Sequence, residues 1–195
     1  MKKATYRDRE KVTDILCQAF IDVLIPNSIN FVVKSSGNRY KRLKLLMEFQ
    51  FDMAVRYGSV FLTDDDKGCI LYFEKQGFGI KKLLLELKLL LFCIGIENIL
   101  KILRRERLLK SFHPEEKFVH LWLMAVLPNE QGRGIGTKLL KESFKRYHGT
   151  CIYVETTTPE NRTFYTQNGF EIFHETFELD YPLYFLKKIN ADQPI

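Results

Sequence analysis

The sequence predicts a single α/β domain in which helices cover one β-sheet. Three observations lead to this fold class. Runs of β-favouring residues alternate with segments whose apolar residues recur at helical spacing, most regularly after residue 117. The chain has 195 residues, a suitable length for one domain with a stable core. It contains no internal repeat, low-complexity tract or linker that would divide it, so we expect residues 1–195 to form one unit.

The first part of the chain is predicted to hold two helices and a hairpin. Apolar residues at helical spacing define the helices, and β-rich runs define the strands. Gly58 follows the second helix and is expected to cap it. An Asp- and Gly-containing turn at 64–68 joins the last two strands. In chain order, the elements are a strand at 2–6, helices at 8–20 and 39–57, and strands at 59–63 and 69–74.

Residues 81–110 are predicted to be helical, as two helices that divide near Gly95. A wide apolar face lies opposite a face rich in Lys, Arg and Glu. A basic amphipathic helix can lie on a membrane surface, but packing against a core is the commoner use of such a stripe. The stretch has a single aromatic residue, Phe92, which argues against a nucleic-acid-binding face. We therefore interpret 75–117 as a helical insertion that caps a substrate cleft.

The second part of the chain has the more regular alternation. Pro159 begins one of its helices and Gly169 follows the same helix, as is typical of helix ends. In chain order, the predicted elements are a strand at 117–127, a helix at 134–147, a strand at 151–156, a helix at 159–168, and strands at 170–177 and 181–187.

Composition restricts the class of protein only loosely. The net charge of +6 would attract an anionic partner, although a merely basic surface explains it equally well. The N-terminus has no apolar stretch of the signal-peptide kind, and no apolar run is long enough to span a bilayer. The four cysteines lie too far apart for a zinc site or a disulfide framework. We expect a cytoplasmic protein that binds no metal and does not span the membrane.

A glycine-rich loop between a predicted strand and a predicted helix is the most informative stretch. Gly132, Gly134 and Gly136 stand at alternate positions, followed by Thr137. Without side chains, the backbone can fold tightly and direct its N–H groups at one spot. Those donors and the positive end of the helix dipole suit a phosphate or pyrophosphate, and Arg133 can add a full positive charge.

Two common phosphate loops do not match this pattern. In a Walker A loop the fifth residue after the first glycine is another glycine, and here that residue is Thr137. In a dinucleotide fingerprint the third glycine would come one residue after Gly136. The three glycines alone leave a plain glycine-rich turn as the alternative.

The loop is embedded in a longer pattern. Gln131-x-x-Gly134-x-Gly136 resembles the Q/R-x-x-G-x-G/A signature of the GNAT acyltransferases. The segment from Tyr153-Val154-Glu155-Thr156 to Asn161–Phe170 resembles the same family's "ETxxxNxxFYxxxGF" segment. The match covers roughly 117–177. It implies a GNAT-like mixed, twisted central sheet flanked by helices, with the helical insertion placed before the fourth strand.

The resemblance implies an enzyme that transfers an acetyl group from acetyl-CoA to a primary amine by direct attack. It also implies that the loop holds the pyrophosphate of coenzyme A and that main-chain groups of the preceding strand pair with the pantetheine arm. The implied cofactor-binding residues are Met124, Val126, Gln131, Gly132, Arg133, Gly134, Ile135, Gly136, Thr137, Asn161 and Tyr165.

Direct attack requires a proton acceptor for the amine and a proton donor for the departing thiolate. Tyr165 matches the motif position of the family's general acid, and packing of the helix on the sheet is its alternative role. His120 stands where some relatives carry a Glu base, six residues before Val126. Strand alternation predicts that His120, Trp122, Met124 and Val126 share one face. A substrate-lining or structural His120 is the alternative.

Glu155 could bind the ammonium group of the substrate or brace a loop. His113, His148 and His174 are expected on exposed faces or in loops, without a catalytic role. The apolar residues of the insertion favour a small-molecule acceptor. The rival interpretation is a catalytically inactive sensor that binds CoA, and the presence of Tyr165 favours the enzyme. The sequence predicts no nucleic-acid partner and leaves a homodimer open.

Overall fold

A mixed β-sheet forms the centre of the structure, a computed structural model that describes residues 1–24, 38–74 and 99–190. The helices within these ranges are α1 (Arg9–Phe20), α2 (Arg39–Tyr57), α3 (Ile99–Ser111), α4 (Ile135–Phe144) and α5 (Pro159–Gln167). The strands are β1 (Lys2–Lys3), β2 (Gly58–Leu62), β3 (Gly68–Phe73), β4 (Phe118–Val126), β5 (Cys151–Thr156), β6 (Glu171–Thr176) and β7 (Leu183–Ile189). Short 3-10 turns occupy Tyr6–Asp8 and Pro128–Glu130.

The seven strands of these ranges lie in the order β1-β2-β3-β4-β5-β7-β6. β4 and β5 are parallel, and every other neighbouring pair is antiparallel. A parallel pair needs a crossover connection, and α4 supplies it. The predicted fold class, a mixed sheet flanked by helices, is confirmed.

Helices cover both faces of the sheet. On one face, α1 and α2 bury Val12, Leu16 and Met47 against Leu71 of β3. On the other face, α4 and α5 cover β3, β4 and β5, and Leu140 is fully buried there. Burial of each such side chain is worth roughly 1.5–3 kcal/mol, so these apolar stripes hold the helices on the sheet.

Helix α2 has the predicted bounds, and both of its ends have identifiable causes. The Asn38 side chain accepts a hydrogen bond from the Lys41 N–H at 3.0 Å and caps the first turn. Gly58 follows the helix with an extended φ of −165° and is also the first residue of β2. A Cβ at Gly58 would overlap the carbonyl oxygen of Tyr72. Close approach of β3, rather than a left-handed cap, therefore requires glycine here.

β4 and β5 separate before either strand ends. Their pairing covers only Phe118–His120 with Cys151–Tyr153. β4 continues to Val126 and β5 to Thr156. The divergence opens a cleft between the two strands on the C-terminal side of their last residue pair.

A β-bulge at Trp122 changes the faces of β4. Leu121 lies opposite Tyr72, and Leu123 lies opposite the preceding residue of β3, so Trp122 is an extra residue without a partner in that ladder. Beyond the bulge, Met124 and Val126 point at α4, where both side chains come within 3.9 Å of a Cβ placed on Gly136.

His120 points to the opposite face of the sheet from Met124 and Val126. Its ring lies 5.1 Å from that of Tyr153, which packs with Leu109 of α3. The prediction that His120, Trp122, Met124 and Val126 share a face is therefore wrong, because the bulge interrupts the regular alternation of the strand.

Helix α3 is the described part of the predicted insertion, and 75–98, with Gly95, lie outside the described residues. Leu109 of α3 packs with Tyr153 and Phe185 on the same face of the sheet as α1 and α2. In the ranges that the structure describes, no helix combines the length and apolar character needed to cross a membrane.

Candidate active site

The glycine loop connects β4 to α4 through two residues in the left-handed region. Gly132 has φ 75° and Gly134 has φ 77°. A Cβ on either residue would meet no atom within 4 Å, so backbone conformation rather than crowding requires glycine at both positions. The loop is exposed, and a ligand can approach its main chain directly.

The first turn of α4 presents free backbone donors. The Lys138 N–H makes the first helical hydrogen bond, to the carbonyl of Gly134 at 3.0 Å. Within the described ranges, the N–H groups of Ile135, Gly136 and Thr137 donate to no other residue. These donors and the helix dipole make the start of α4 suitable for an anion.

Two polar residues of the loop have side-chain partners. The Gln131 Nε2 donates to the carbonyl of Val126 at 3.1 Å and ties the loop to β4. The Arg133 guanidinium lies 3.1 Å from the Glu130 carboxylate, and 64% of its side chain is exposed. An exposed pair of this kind contributes little to stability, so Arg133 can exchange Glu130 for a ligand phosphate at low cost.

A cavity of about 450 Å³ occupies the cleft between the diverging strands. Helices α1, α2, α3 and α5 complete its wall. Six of the predicted site residues line it, namely Met124, Val126, Gln131, Glu155, Asn161 and Tyr165. The rest of the predicted loop residues are not part of the described lining, namely Gly132, Arg133, Gly134, Ile135, Gly136 and Thr137. They border the cavity where Met124 and Val126 pack next to Gly136. His120 is also outside the described lining.

Tyr165 and Asn161 occupy the cavity side of α5. The Thr158 side chain caps this helix by accepting from the Asn161 N–H at 3.2 Å. Asn161 is exposed, whereas Tyr165, one turn later, is 7% exposed and packs edge-on against Phe170. Burial and the nearby charge of Glu155 raise the pKa of the Tyr165 phenol above its ordinary value of 10. The phenol therefore stays protonated throughout the physiological pH range.

Glu155 and His120 form a close pair at the point where the strands separate. Nε2 of His120 lies 2.6 Å from Oε2 of Glu155, and both side chains are largely buried, at 16% and 9% exposed. The two groups are not aligned as a hydrogen bond, and neither atom has another hydrogen-bond partner among the described residues. Poor alignment of this kind is common in unliganded active sites.

The charge of Glu155 depends on its neighbours. Burial by itself raises the pKa of this carboxyl, but the positive charges of His120 and Arg105 outweigh burial and leave it below its ordinary value. His113, predicted to have no catalytic role, also contributes to this balance. Its ring packs 5.4 Å from that of Tyr153, and burial lowers the pKa of the imidazole.

Sequence reasoning predicted that the insertion caps the cleft but did not single out the residues of α3 and α2 that line it. Arg105 and Glu106 of α3 line the cavity, with a guanidinium-to-carboxylate distance of 2.9 Å. Trp122 and Phe49 line it too, with ring centroids 6.4 Å apart. Arg105 and Glu106 belong to a stretch in which nearly every turn carries charge, so no sequence signal marked these two. Because of the bulge at Trp122, the cavity lining includes successive residues of β4 from Trp122 to Val126, which belong to both faces of the strand.

A family model described as the acetyltransferase (GNAT) domain matches residues 93–172. This segment contains the glycine loop, the diverging strands and Tyr165. This part of the chain is therefore similar to the GNAT acetyltransferase domain. The resemblance noted in the sequence is thereby confirmed over these residues.

Solved structures of GNAT proteins resemble the whole chain. A "histone acetyltransferase HPA2 and related acetyltransferase" from Corynebacterium glutamicum ATCC 13032 is 19% identical, with a TM-score of 0.67 over 100% of this chain and 97% of that one. Arylalkylamine N-acetyltransferase 2 from Aedes aegypti is 16% identical, with a TM-score of 0.62 over 97% of both chains. An N-acetyltransferase from Staphylococcus aureus Mu50 is 14% identical, with a TM-score of 0.58 over 96% of this chain and 98% of that one.

At these identities, the likeness establishes the GNAT fold and nothing about the acceptor. A comparison with curated proteins found no match. The described part of the chain also contains no group of three or more His, Cys, Asp or Glu side chains arranged to hold a metal ion.

Proposed function

We propose that the chain is an N-acetyltransferase that moves an acetyl group from acetyl-CoA to a primary amine by direct attack. One observation carries the proposal. The cavity between the diverging strands places a protonated phenol, Tyr165, and a buried carboxylate, Glu155, within one space that borders the glycine loop. A thioester held there would have a proton donor and a site for an ammonium group beside it.

The loop and β4 form the cofactor end. The free N–H groups at the start of α4, together with Arg133, would hold the pyrophosphate of CoA. Beyond His120, the described part of β4 pairs with β3 but not with β5, so its backbone near Met124 and Val126 has groups available to the pantetheine arm. Asn161 would add a side-chain contact to the same arm.

The Glu155–His120 pair forms the acceptor end and would bind the ammonium and accept its proton. The amine nitrogen then attacks the thioester carbonyl carbon, a C–N bond forms and the C–S bond breaks. Tyr165 protonates the departing sulfur and recovers a proton from the second N–H that the nitrogen loses. The products are an amide, free CoA and one proton released to solvent.

The acceptor is proposed to be a small molecule and the setting the cytoplasm. Residues from four helices line the cavity, and Phe49 and Trp122 supply an apolar wall for the body of a small amine. α3 contributes Ile102, Arg105 and Glu106 to that wall, which supports the interpretation of the insertion as a cap. A nucleic-acid partner and a homodimer form no part of this proposal.

Turnover with a panel of primary amines tests the proposal. The protein is incubated with acetyl-CoA and each amine, thiol release is followed, and acetylated products are identified by mass spectrometry. Formation of an N-acetyl product supports the enzyme. Tight CoA binding by calorimetry without transfer to any amine of the panel would favour the sensor.

A further inference from the structure

Glu155 and His120 differ in their access to the cavity. Glu155 lines the cavity, whereas His120 contacts Glu155 and is absent from the described lining. An ammonium group in the cavity would therefore meet Glu155 before His120. The bulge at Trp122 contributes to this arrangement, since it separates the His120 face from that of the cofactor-lining residues.

We propose that Glu155 is the catalytic base that contacts the acceptor ammonium, and that His120 is a positioning residue that controls Glu155 through their 2.6 Å contact. The assignment rests on the proposed acetyl transfer. The sequence position had suggested His120 as the base and Glu155 as a residue that binds the substrate, and the assignment makes Glu155 the base instead. His120, placed where some relatives carry a base, here acts through its neighbour on β5.

Each element that packs around Glu155 contributes charged or titratable groups. His120 comes from β4, and Arg105 and Glu106 from α3, with His113 just after that helix. The remaining groups are phenols: Tyr153 on β5 and Tyr165 on α5 have pKa values raised by burial and by the Glu155 charge, and Tyr181 lies near Arg105. Tyr153 and Tyr165 are therefore neutral at physiological pH. Among these side-chain types, imidazole is the one whose charge ordinarily changes near neutral pH.

The protonation state of His120 determines how well Glu155 serves as a base. When the imidazole is neutral, burial raises the proton affinity of the ionised carboxylate, which can then accept the ammonium proton. When the imidazole is protonated, it holds the carboxylate as an ion pair and competes with the acceptor ammonium for the same oxygens. Acid should therefore both weaken acceptor binding and weaken the base.

The first test compares Glu155→Gln with His120→Gln, since glutamine at 120 can still donate a hydrogen bond to the carboxylate. With acetyl-CoA and the best amine of the panel, we expect Glu155→Gln to lower kcat by about 10²–10⁴-fold from pH 6 to 9. His120→Gln should stay within about tenfold of the parent at pH 8. It should also lose the rise in KM on acidification that we expect of the parent.

His174→Gln and Glu175→Gln on β6 are matched controls outside the cavity, and their pH profiles should match that of the parent. The assignment is overturned if His120→Gln loses as much kcat as Glu155→Gln at pH 8. It is also overturned if His120→Gln keeps the acid dependence of KM in the parent.

A second test needs no turnover. In protein labelled with ¹³C at the Glu carboxyl groups and saturated with CoA, the Glu155 resonance is assigned by its loss in Glu155→Gln. Added n-butylammonium should shift this resonance more strongly at pH 8 than at pH 5.5, and n-butanol should not. A Glu155 resonance that n-butylammonium leaves unmoved overturns the assignment. Absence of acetyl transfer in the parent would instead contradict the proposed function.

Discussion

His120 and Tyr153 are the last residues that pair β4 with β5, and the two strands separate beyond them. The cavity lies beyond this point, where Val154 and Glu155 of β5 belong to its lining. Parallel strands that continued to pair would satisfy each other's backbone groups and leave no room for a thioester. The separation is thus the feature on which the candidate site depends.

The glycine loop can be tested with a matched pair of variants. Gly134 and Gly149 both have positive φ, at 77° and 64°, and a Cβ at either would meet no atom within 4 Å. Gly134→Val and Gly149→Val should therefore carry similar backbone strain. We expect only Gly134→Val to weaken CoA binding, by tenfold or more, because the new side chain projects from the loop toward the pyrophosphate. Calorimetry on folded variants provides the measurement, and equal CoA affinities would contradict the loop assignment.

Loss of the Tyr165 hydroxyl separates catalysis from binding. Tyr165→Phe keeps the buried ring and should lower kcat by roughly ten- to a thousandfold, with CoA affinity nearly unchanged, because protonation of sulfur occurs only in the transition state. The raised pKa of Tyr165 also predicts no loss of activity from its ionisation up to pH 10. Tyr72→Phe removes a buried hydroxyl that contacts Ser143 and should affect stability rather than kcat. Parental kcat in Tyr165→Phe would remove this residue from the mechanism.

Trp122 should report on ligand binding by its fluorescence. It is the single tryptophan of the chain, and it lines the cavity beside Phe49 and Phe73. Binding of CoA or an amine changes the polarity around the indole, so emission should shift with a midpoint equal to the calorimetric Kd. In Gly134→Val the midpoint for CoA should move to higher concentration. Unchanged emission at saturating CoA would place the ligand outside the cavity.

The pH dependence of stability should reveal the ion pair of Glu155. Its pKa in the folded protein lies below the ordinary value of 4.5, since the charges of His120 and Arg105 outweigh burial. A lowered carboxyl pKa contributes stability above the unfolded value and loses it as pH falls through the folded value. The difference in Tm between the parent and Glu155→Gln should therefore shrink from pH 6 to pH 3. A difference that stays constant over this range would show that the carboxylate is not selectively stabilised by folding.

Strongly periodic segments could be predicted to the residue. The observed bounds of α2, Arg39–Tyr57, and of β5, Cys151–Thr156, equal the predicted ones. The glycine loop was also recognisable, because left-handed residues before a helix select glycine. These features depend on local chain geometry, which sequence patterns record directly.

The bulge and the ion pair could not be predicted in the same way. Residues 121–126 of β4 are apolar on both faces, so no polar residue marked the position where alternation shifts at Trp122. The contact between His120 and Glu155 requires the parallel register of β4 with β5, which neither strand's own sequence contains. Arg105 reaches the site only through the packing of α3, a tertiary property.

The bulge at Trp122 has a consequence for how this protein can diversify. It divides β4 into a segment that holds His120 on one face and a segment that turns Met124 and Val126 to the other. Substitutions around His120 and Glu155 can then alter the acceptor without moving the side chains packed on Gly136 at the start of α4. Acceptor specificity and cofactor binding can therefore evolve independently, although a single strand contributes to both.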